Sequence, residues 1–283
     1  MDLTNIEFCN QSNSFIISSK KAMGHYDMPT YHFHDMYEIY YLLSGERFYF
    51  IKDRTFNIKK GDLVFINEHY LHKTTDTGVP DHQRILIKFH EKFLLTENSP
   101  LHEILKTIFK KDNYVLRLPI HEQNNAEELL EKMMQESQTQ NSGFEAYLQS
   151  LMIKLLVHFG RYIQQNSLNS FEHPSPIYGK ISEIVQYINY NYLESITLAT
   201  ISERFYISPY YLSRVFKEVT GFTFIEYLNS VRIKEAQKLL RESKGKVISI
   251  AEKVGFGNVA HFGRVFKKVT GLSPLHYRKL SGS

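Results

Sequence analysis

The stretch from Ser208 to Leu228, SPYYLSRVFKEVTGFTFIEYL, decides how the C-terminal part of the chain folds. Ser208 followed by Pro209 is a helix start. The serine hydroxyl can accept from a first-turn N–H, and proline gives up only an N–H that lacks a helical partner. Leu212, Val215, Phe216 and Val219 then fall on one helical face, and Gly221 is the residue that can turn left-handed to close the helix. The opposite face carries Tyr210, Ser213, Arg214 and Lys217, which can donate to base edges or phosphates.

Fifty residues further on the pattern returns. Phe262, Val265, Phe266 and Val269 repeat the stripe, Arg264 and Lys267 repeat Arg214 and Lys217, and Thr270–Gly271 repeats Thr220–Gly221. A repeat of this kind fixes the structural unit. Upstream of the first copy, Leu198, Ile201 and Phe205 precede a break at Tyr206–Ile207. Upstream of the second, Val247, Ile250, Ala251 and Val254 precede a break at Gly255-Phe256-Gly257 that is one residue longer. A short apolar helix, a tight turn and a second helix with a polar face is a helix-turn-helix, whose second helix enters the major groove.

On these residues the C-terminal third is similar to the DNA-binding domain of the AraC/XylS family of bacterial transcription regulators. The resemblance is carried by Gly255-Phe256, Phe262, Arg264, Val265, Phe266, Lys267, Thr270-Gly271, Pro274, Tyr277 and Arg278, and covers roughly Tyr178 to Leu280. Tyr227-Leu228, Arg232-Ile233, Ala236 and Leu239-Leu240 resemble the long helix that joins the family's two units. The plainer alternative is a helical bundle whose basic face is merely solvated.

Charge divides the chain in the same place. From Ser175 onward there are 16 Lys and Arg against 8 Asp and Glu, which leaves 18 against 22 before it. A basic part on an acidic one is the footprint of nucleic-acid binding confined to one domain. The single cysteine, Cys9, cannot form an internal disulfide, the N-terminus lacks a signal-peptide pattern, and no apolar run is long enough to span a bilayer. A cytoplasmic protein without a membrane partner is expected.

At 283 residues two domains are expected. Residues 37–43, 47–51, 62–66 and 84–89 are short, aromatic and β-branched runs within a strand-rich region from 15 to 90, with turn residues between them. They predict a small antiparallel barrel or sandwich. Helical periodicity follows at Leu101–Ile108, around Leu129–Met134 and over Phe144–Tyr162, with the polar QTQNSG at 138–143 as a break. The polar, proline-punctuated QQNSLNSFEHPSP from Gln164 is a linker. The expected fold class is therefore α+β with two domains. Residues 1–165 are expected to form an antiparallel β-barrel with flanking helices, 166–177 the linker, and 178–283 an all-α domain with two helix-turn-helix motifs. The helical pair at 124–163 either covers the barrel or packs against a second protomer, and the resemblance favours a homodimer.

His32, His34 and Glu38, with Gly45, resemble the first cupin motif, and Gly61 with His72 resembles the second. On one continuous strand 32, 34 and 38 would face the same way. In metal-bearing cupins the matching positions are three His and a Glu around a divalent ion, a ligand set that does not choose one metal. The sequence departs from that pattern: the glycine five residues before the first His is absent, and Asn67 and His69 stand where Pro and Gly are common. Family sensor domains often keep the His/Glu pattern while recognising an organic effector without metal. No cofactor and no metal are therefore favoured; if a metal binds, its ligands are His32, His34, Glu38 and His72. The barrel interior is the expected effector site, with His32, His34, Glu38, Tyr40 and His72 as its residues. Tyr31, Tyr37, Tyr40 and Tyr41 at its mouth would suit a sugar.

By position in the family motif, Tyr210, Ser213 and Arg214 match groove-facing sites and Lys217 a phosphate contact. Tyr211 serves that face or helix packing. In the second unit Asn258 is the N-cap, and His261, Arg264 and Lys267 remain as contacts, while Val259, Ala260 and Gly263 stand where relatives often carry polar readers. The first recognition helix should set specificity. The reading is a sequence-specific DNA-binding transcription regulator, not an enzyme, controlled by a small-molecule effector. Its expected partners are double-stranded promoter or operator DNA, the effector, a second protomer and RNA polymerase. Two rivals stand beside it: a metal-dependent cupin enzyme or metal sensor fused to a DNA-binding domain, and a nucleoid-type DNA binder with no effector.

Overall fold

A computed structural model describes residues 5–28, 34–94, 99–109, 115–166 and 174–281. The chain divides into two compact units, one built mainly from residues up to 172 and the other mainly from 173 onward.

In the first unit, strands β1 (Ile6–Cys9), β2 (Phe15–Ala22), β3 (Tyr37–Ser44), β4 (Glu46–Ile51), β5 (Arg54–Lys59), β6 (Asp62–Ile66), β7 (His72–Asp76), β8 (His82–Phe89) and β9 (Val115–Arg117) build two sheets. The larger has the order β1-β2-β8-β3-β6-β9 and the smaller β5-β4-β7. The strand pairs are antiparallel, with Tyr40 opposite Val64 on one side and Leu86 on the other. The expected antiparallel β-rich part is present as these two sheets, whose inner residues share one core.

Strand β3 shows why its sequence reads as a nearly unbroken apolar run. Its odd residues, Ile39 and Tyr41, join Phe15, Ile17, Leu63, Phe65, Ile85, Ile87 and Phe89 in a core shared with three helices. These are α1 (Leu101–Phe109), α2 (Ile120–Thr139) and α3 (Phe144–Gln165). Its even residues, Tyr40 and Leu42, join Val64 and Ile66 and meet Tyr49, Ile51, Phe56 and Ile58 of the smaller sheet. A strand covered on both faces loses the polar alternation of a half-exposed one. Leu129, Leu130, Met133 and Met134 of α2 and Leu148, Leu151, Met152, Leu155, Leu156 and Phe159 of α3 all lie in the first core. The apolar stripes of the helical pair are thus spent on covering the sheet.

Two glycines shape the turns. Gly45 (φ +87°) links β3 to β4, and a Cβ there would lie 2.5 Å from the Asp81 carbonyl and 2.8 Å from His82 Cβ. Gly61 (φ +84°) precedes β6, and a Cβ there would strike the Gln123 side chain at 2.3 Å. Both adopt the left-handed region that favours glycine, and at Gly45 the neighbouring backbone also leaves no room for a Cβ, whereas at Gly61 only the end of the flexible Gln123 side chain is in the way.

The second unit is helical: α4 (Pro176–Asn191), α5 (Leu198–Phe205), α6 (Pro209–Thr220), α7 (Phe224–Glu242), α8 (Val247–Lys253), α9 (Val259–Thr270) and α10 (Pro274–Ser281). Helix α4 starts inside the stretch read as a linker, because Ser175 and Pro176 form a helix start of their own. Helix α7 packs against α4, α6, α8, α9 and α10 and so joins the two α5–α6 and α8–α9 pairs.

Candidate functional site

The recognition helices are built by duplicated local chemistry. Ser208 accepts from the Tyr211 N–H with Pro209 in the first turn, and Asn258 accepts from the His261 N–H. At the other end Gly221 (φ 77°) and Gly271 (φ 76°) close the helices through N–H bonds to the carbonyls of Lys217 and Lys267. The threonine before each glycine does the same work twice. Thr220 Oγ1 donates to the Phe216 carbonyl at 2.6 Å and accepts from Phe222 N–H at 3.1 Å. Thr270 Oγ1 donates to Phe266 at 2.8 Å and accepts from Leu272 at 3.2 Å.

Packing then separates the two faces of each helix. Leu212, Val215, Phe216 and Val219 are buried, as are Phe262 and Phe266, while Val265 and Val269 are only half-buried. Tyr210, Tyr211, Ser213, Arg214 and Lys217 are exposed, Tyr210 at 83%. Arg214 lies 5.6 Å from the Tyr211 ring and 3.9 Å from Glu218, exposed contacts that restrain the guanidinium loosely. His261, Arg264 and Lys267 are exposed on α9, and the His261 ring stands against Phe256 at 5.6 Å. Asn258 is exposed too, but its side-chain oxygen is committed to the cap, which leaves only its amide N–H groups for another partner.

The polar cluster of the first unit forms by a different route from the one the sequence suggests. His32 lies outside the described residues, as does Tyr31. His34 precedes β3 instead of belonging to it, so strand parity does not bring it to Glu38. The loop does. His34 Nδ1 donates to the Met36 carbonyl at 2.8 Å, and this turns Nε2 onto Glu38 Oε2 at 3.0 Å. His72, on β7, donates from Nδ1 to the Tyr70 carbonyl at 2.7 Å, and its Nε2 lies 3.5 Å from the same oxygen. The other oxygen, Oε1, accepts from Tyr49 at 2.7 Å. Glu38 is 2% exposed. Burial pushes its carboxyl up, but the charge and hydrogen bonds of His72 and His34 outweigh that and hold it well below the usual range. Burial and the neighbouring Glu38 carboxylate push the Tyr49 phenol far above its ordinary value, so it stays a donor.

Tyr40 lies on the same inner face, its ring 5.1 Å from that of Tyr49. Tyr37 and Tyr41 do not. They point to the opposite face of β3, where Tyr37 packs on Phe89 and Phe109 and Tyr41 donates to Glu127 at 2.9 Å. The expected tyrosine-lined mouth therefore reduces to Tyr40 among the described residues. Tyr49 was missed because RFYFI reads as core; its one legible clue is that 47, 49 and 51 share parity.

Chemically, the His34, Glu38 and His72 ligand atoms all lie within 4.8 Å of one another. Two imidazole nitrogens and a carboxylate, each histidine oriented by a backbone carbonyl behind it, fit a divalent transition metal.

Comparison with known proteins agrees with both halves. The AraC-like ligand binding domain family matches residues 19–156, and a helix-turn-helix domain family matches residues 201–280. An uncharacterized HTH-type transcriptional regulator, YfiF of Bacillus subtilis, is 26% identical over 274 residues, which cover 94% of this chain and 84% of that protein. The melibiose operon regulatory protein of Escherichia coli is 26% identical over 269 residues, covering 90% and 85%. Among solved structures, the C-terminal domain of AraT, a response regulator from Geobacillus stearothermophilus, is 34% identical with a TM-score of 0.36, covering 38% of this chain and 88% of that one. A ligand-binding domain followed by a duplicated, surface-polar helix-turn-helix unit places this chain in the AraC/XylS family of transcription regulators.

Proposed function

We propose that this effector-controlled DNA-binding regulator reads its operator chiefly through α6 and senses its effector between the two sheets. The observation that carries the reading is the exposed row Tyr210, Tyr211, Ser213, Arg214 and Lys217 on a helix capped at both ends and buried along its other face. Arg214 reads guanine, with Lys217 and Lys267 on phosphates. Arg264 and His261 read less, and Asn258 acts mainly as a cap. Residues 1–165 form the sensor, 166–177 the linker and 178–283 the reader. Because the apolar stripes of α2 and α3 are spent on the core, a homodimer contact would use their outer, polar faces. Effector binding near Tyr40, His34, Glu38 and His72 shifts occupancy of paired half-sites, which requires that it favour one arrangement of the protein. RNA polymerase, a cytoplasmic location and the absence of catalysis belong to the same reading. Among the described residues no helix is long and apolar enough to cross a membrane.

The test is a DNA-selection assay on purified protein. Enrichment of a bipartite motif with halves about one helical turn apart supports the reading. Loss of that enrichment in Arg214→Ala is expected, and failure to enrich any sequence, with or without added small molecules, removes it.

One observation favours a second reading, a metal-centred sensor or enzyme. Nε2 of His34 and Nε2 of His72 converge on one carboxylate oxygen of Glu38, with each Nδ1 held by a backbone carbonyl, an arrangement in which the three side chains could share a metal cation. Metal analysis after chelator washing and reloading separates the two: stoichiometric metal lost in Glu38→Gln favours the second.

A further inference from the structure

The interior of the first unit contains a second polar group of opposite character. Arg47, on β4 of the smaller sheet, is 1% exposed. One of its terminal nitrogens donates to the Tyr26 carbonyl and the other lies 3.6 Å from Asp76 Oδ1. Its Nε is buried without a partner, as are Arg84 Nη1 and the Tyr40 hydroxyl. Arg84 comes from the facing sheet, where it stands opposite Lys20 on β2 and Leu42 on β3, and its guanidinium is 5.8 Å from the Tyr40 ring. His82, two residues before Arg84 on the same face, is buried, and desolvation together with Arg47, Arg84 and Lys20 lowers its pKa to about 4.

The carboxylates nearby are already engaged. Glu38 has both oxygens on His34, His72 and Tyr49. Asp76 accepts from Gly78 N–H at 3.1 Å, takes His25 at 2.5 Å and faces Arg47. So one end of the interior is a satisfied acid. The other end holds cations from both sheets around a hydroxyl, with three buried donors unused. A buried donor left unpaired is costly, and more so when it is charged, so an acceptor that matches these donors is favoured there.

We infer that this interior binds an oxyanion, the carboxylate or phosphate group of a small organic effector, through Tyr40, Arg47 and Arg84. The inference rests on the reading that the effector binds between the sheets, and it replaces a neutral sugar by an anion as the ligand class. A guanidinium matches a two-oxygen acceptor in shape as well as charge, and a hydroxyl completes a third contact.

The full-length protein is titrated with benzoate, inorganic phosphate, glucose and melibiose at constant ionic strength, with binding followed by calorimetry and melting temperature. Saturable binding of benzoate or phosphate is expected, which of the two binds reporting the kind of oxyanion. Tyr40→Phe keeps the ring and removes one donor, and should weaken that binding about tenfold; Arg84→Met should weaken it further. Arg214→Ala and Lys217→Ala should leave it unchanged. Anion binding that survives Tyr40→Phe and Arg84→Met, or falls in the α6 variants instead, overturns the inference by placing the anion on the DNA face. Saturation by a neutral sugar alone, sensitive to Tyr40→Phe, overturns it while leaving the effector site between the sheets. No saturation by either anion at tens of millimolar also overturns it, and the DNA-selection result then decides separately whether the regulator reading stands.

Discussion

The inner face of β3 and the outer face of α6 carry the same kinds of side chain under opposite conditions. On α6, tyrosine, serine, arginine and lysine stand in solvent, each satisfied by water and each free to change partners. Between the sheets, Glu38, Tyr40, Tyr49 and Arg47 are buried, so every donor and acceptor must be matched by protein or ligand. Exposed polar groups there add little to stability and much to recognition. Buried ones do both at once, because an unmatched group penalises the fold until a ligand matches it.

Five substitutions or conditions sharpen that contrast, beginning with the strongest. Glu38→Ala removes the only carboxylate shared by His34, His72 and Tyr49 among the described residues, and should cost about 3–5 kcal/mol, as losing one partner of a buried ion pair does. Urea unfolding of the first unit measures it; a loss no larger than that of an exposed substitution would break the comparison.

Acid should act next. The unfolded chain takes up a proton on His82 near the ordinary value of 6.5, whereas the folded one resists until about 4, burial being the main cause and the cations of Arg47, Arg84 and Lys20 the second. The stabilisation from neutral His82 is therefore complete above about pH 6.5 and is lost as pH falls towards 4. Its full extent is of order 3 kcal/mol. Unfolding curves from pH 7 to pH 4, compared with His82→Gln, should show that component disappear in the variant.

On the exposed face the effects should move from stability to binding. Arg214→Ala should lose about 1–3 kcal/mol of discrimination between the preferred base and its replacements, with melting unchanged. Arg264→Ala should lose less. Competition binding to operator variants compares them, and a greater loss of discrimination from Arg264 would reverse the ranking of the two recognition helices. The smallest effect belongs to the cap: Asn258→Ala should destabilise α9 by about 1 kcal/mol and change base preference little. Melting and competition binding on that variant read the two apart, and a change in base preference would make Asn258 a reader as well.

The helical half was legible almost residue by residue. A helix start needs only Ser-Pro, a stop needs only Thr-Gly, and the buried stripe follows from spacing, so Ser208, Gly221, Asn258 and Gly271 take their expected places. The sheet half was legible where strands are apolar. Strand β7, HKTTD, has no hydrophobic residue at all, and β5 begins at Arg54, a residue that reads as part of a turn. Such strands are held by pairing with distant partners, which no local pattern announces. His34 met Glu38 as the spacing suggested, but through a loop bond to Met36 and not through a shared strand.

By itself the sequence determined the duplicated reading unit, the faces of its helices, the charge division between the two halves and the family. All of these follow from local spacing, because a helix closes its hydrogen bonds within four residues. Only the tertiary structure decided which tyrosines face the interior, that Tyr49 completes the Glu38 cluster, and that Arg47 and Arg84 converge from opposite sheets with donors unused. Strand partners come from far along the chain, so the chemistry of the space between two sheets exists only once both are in place.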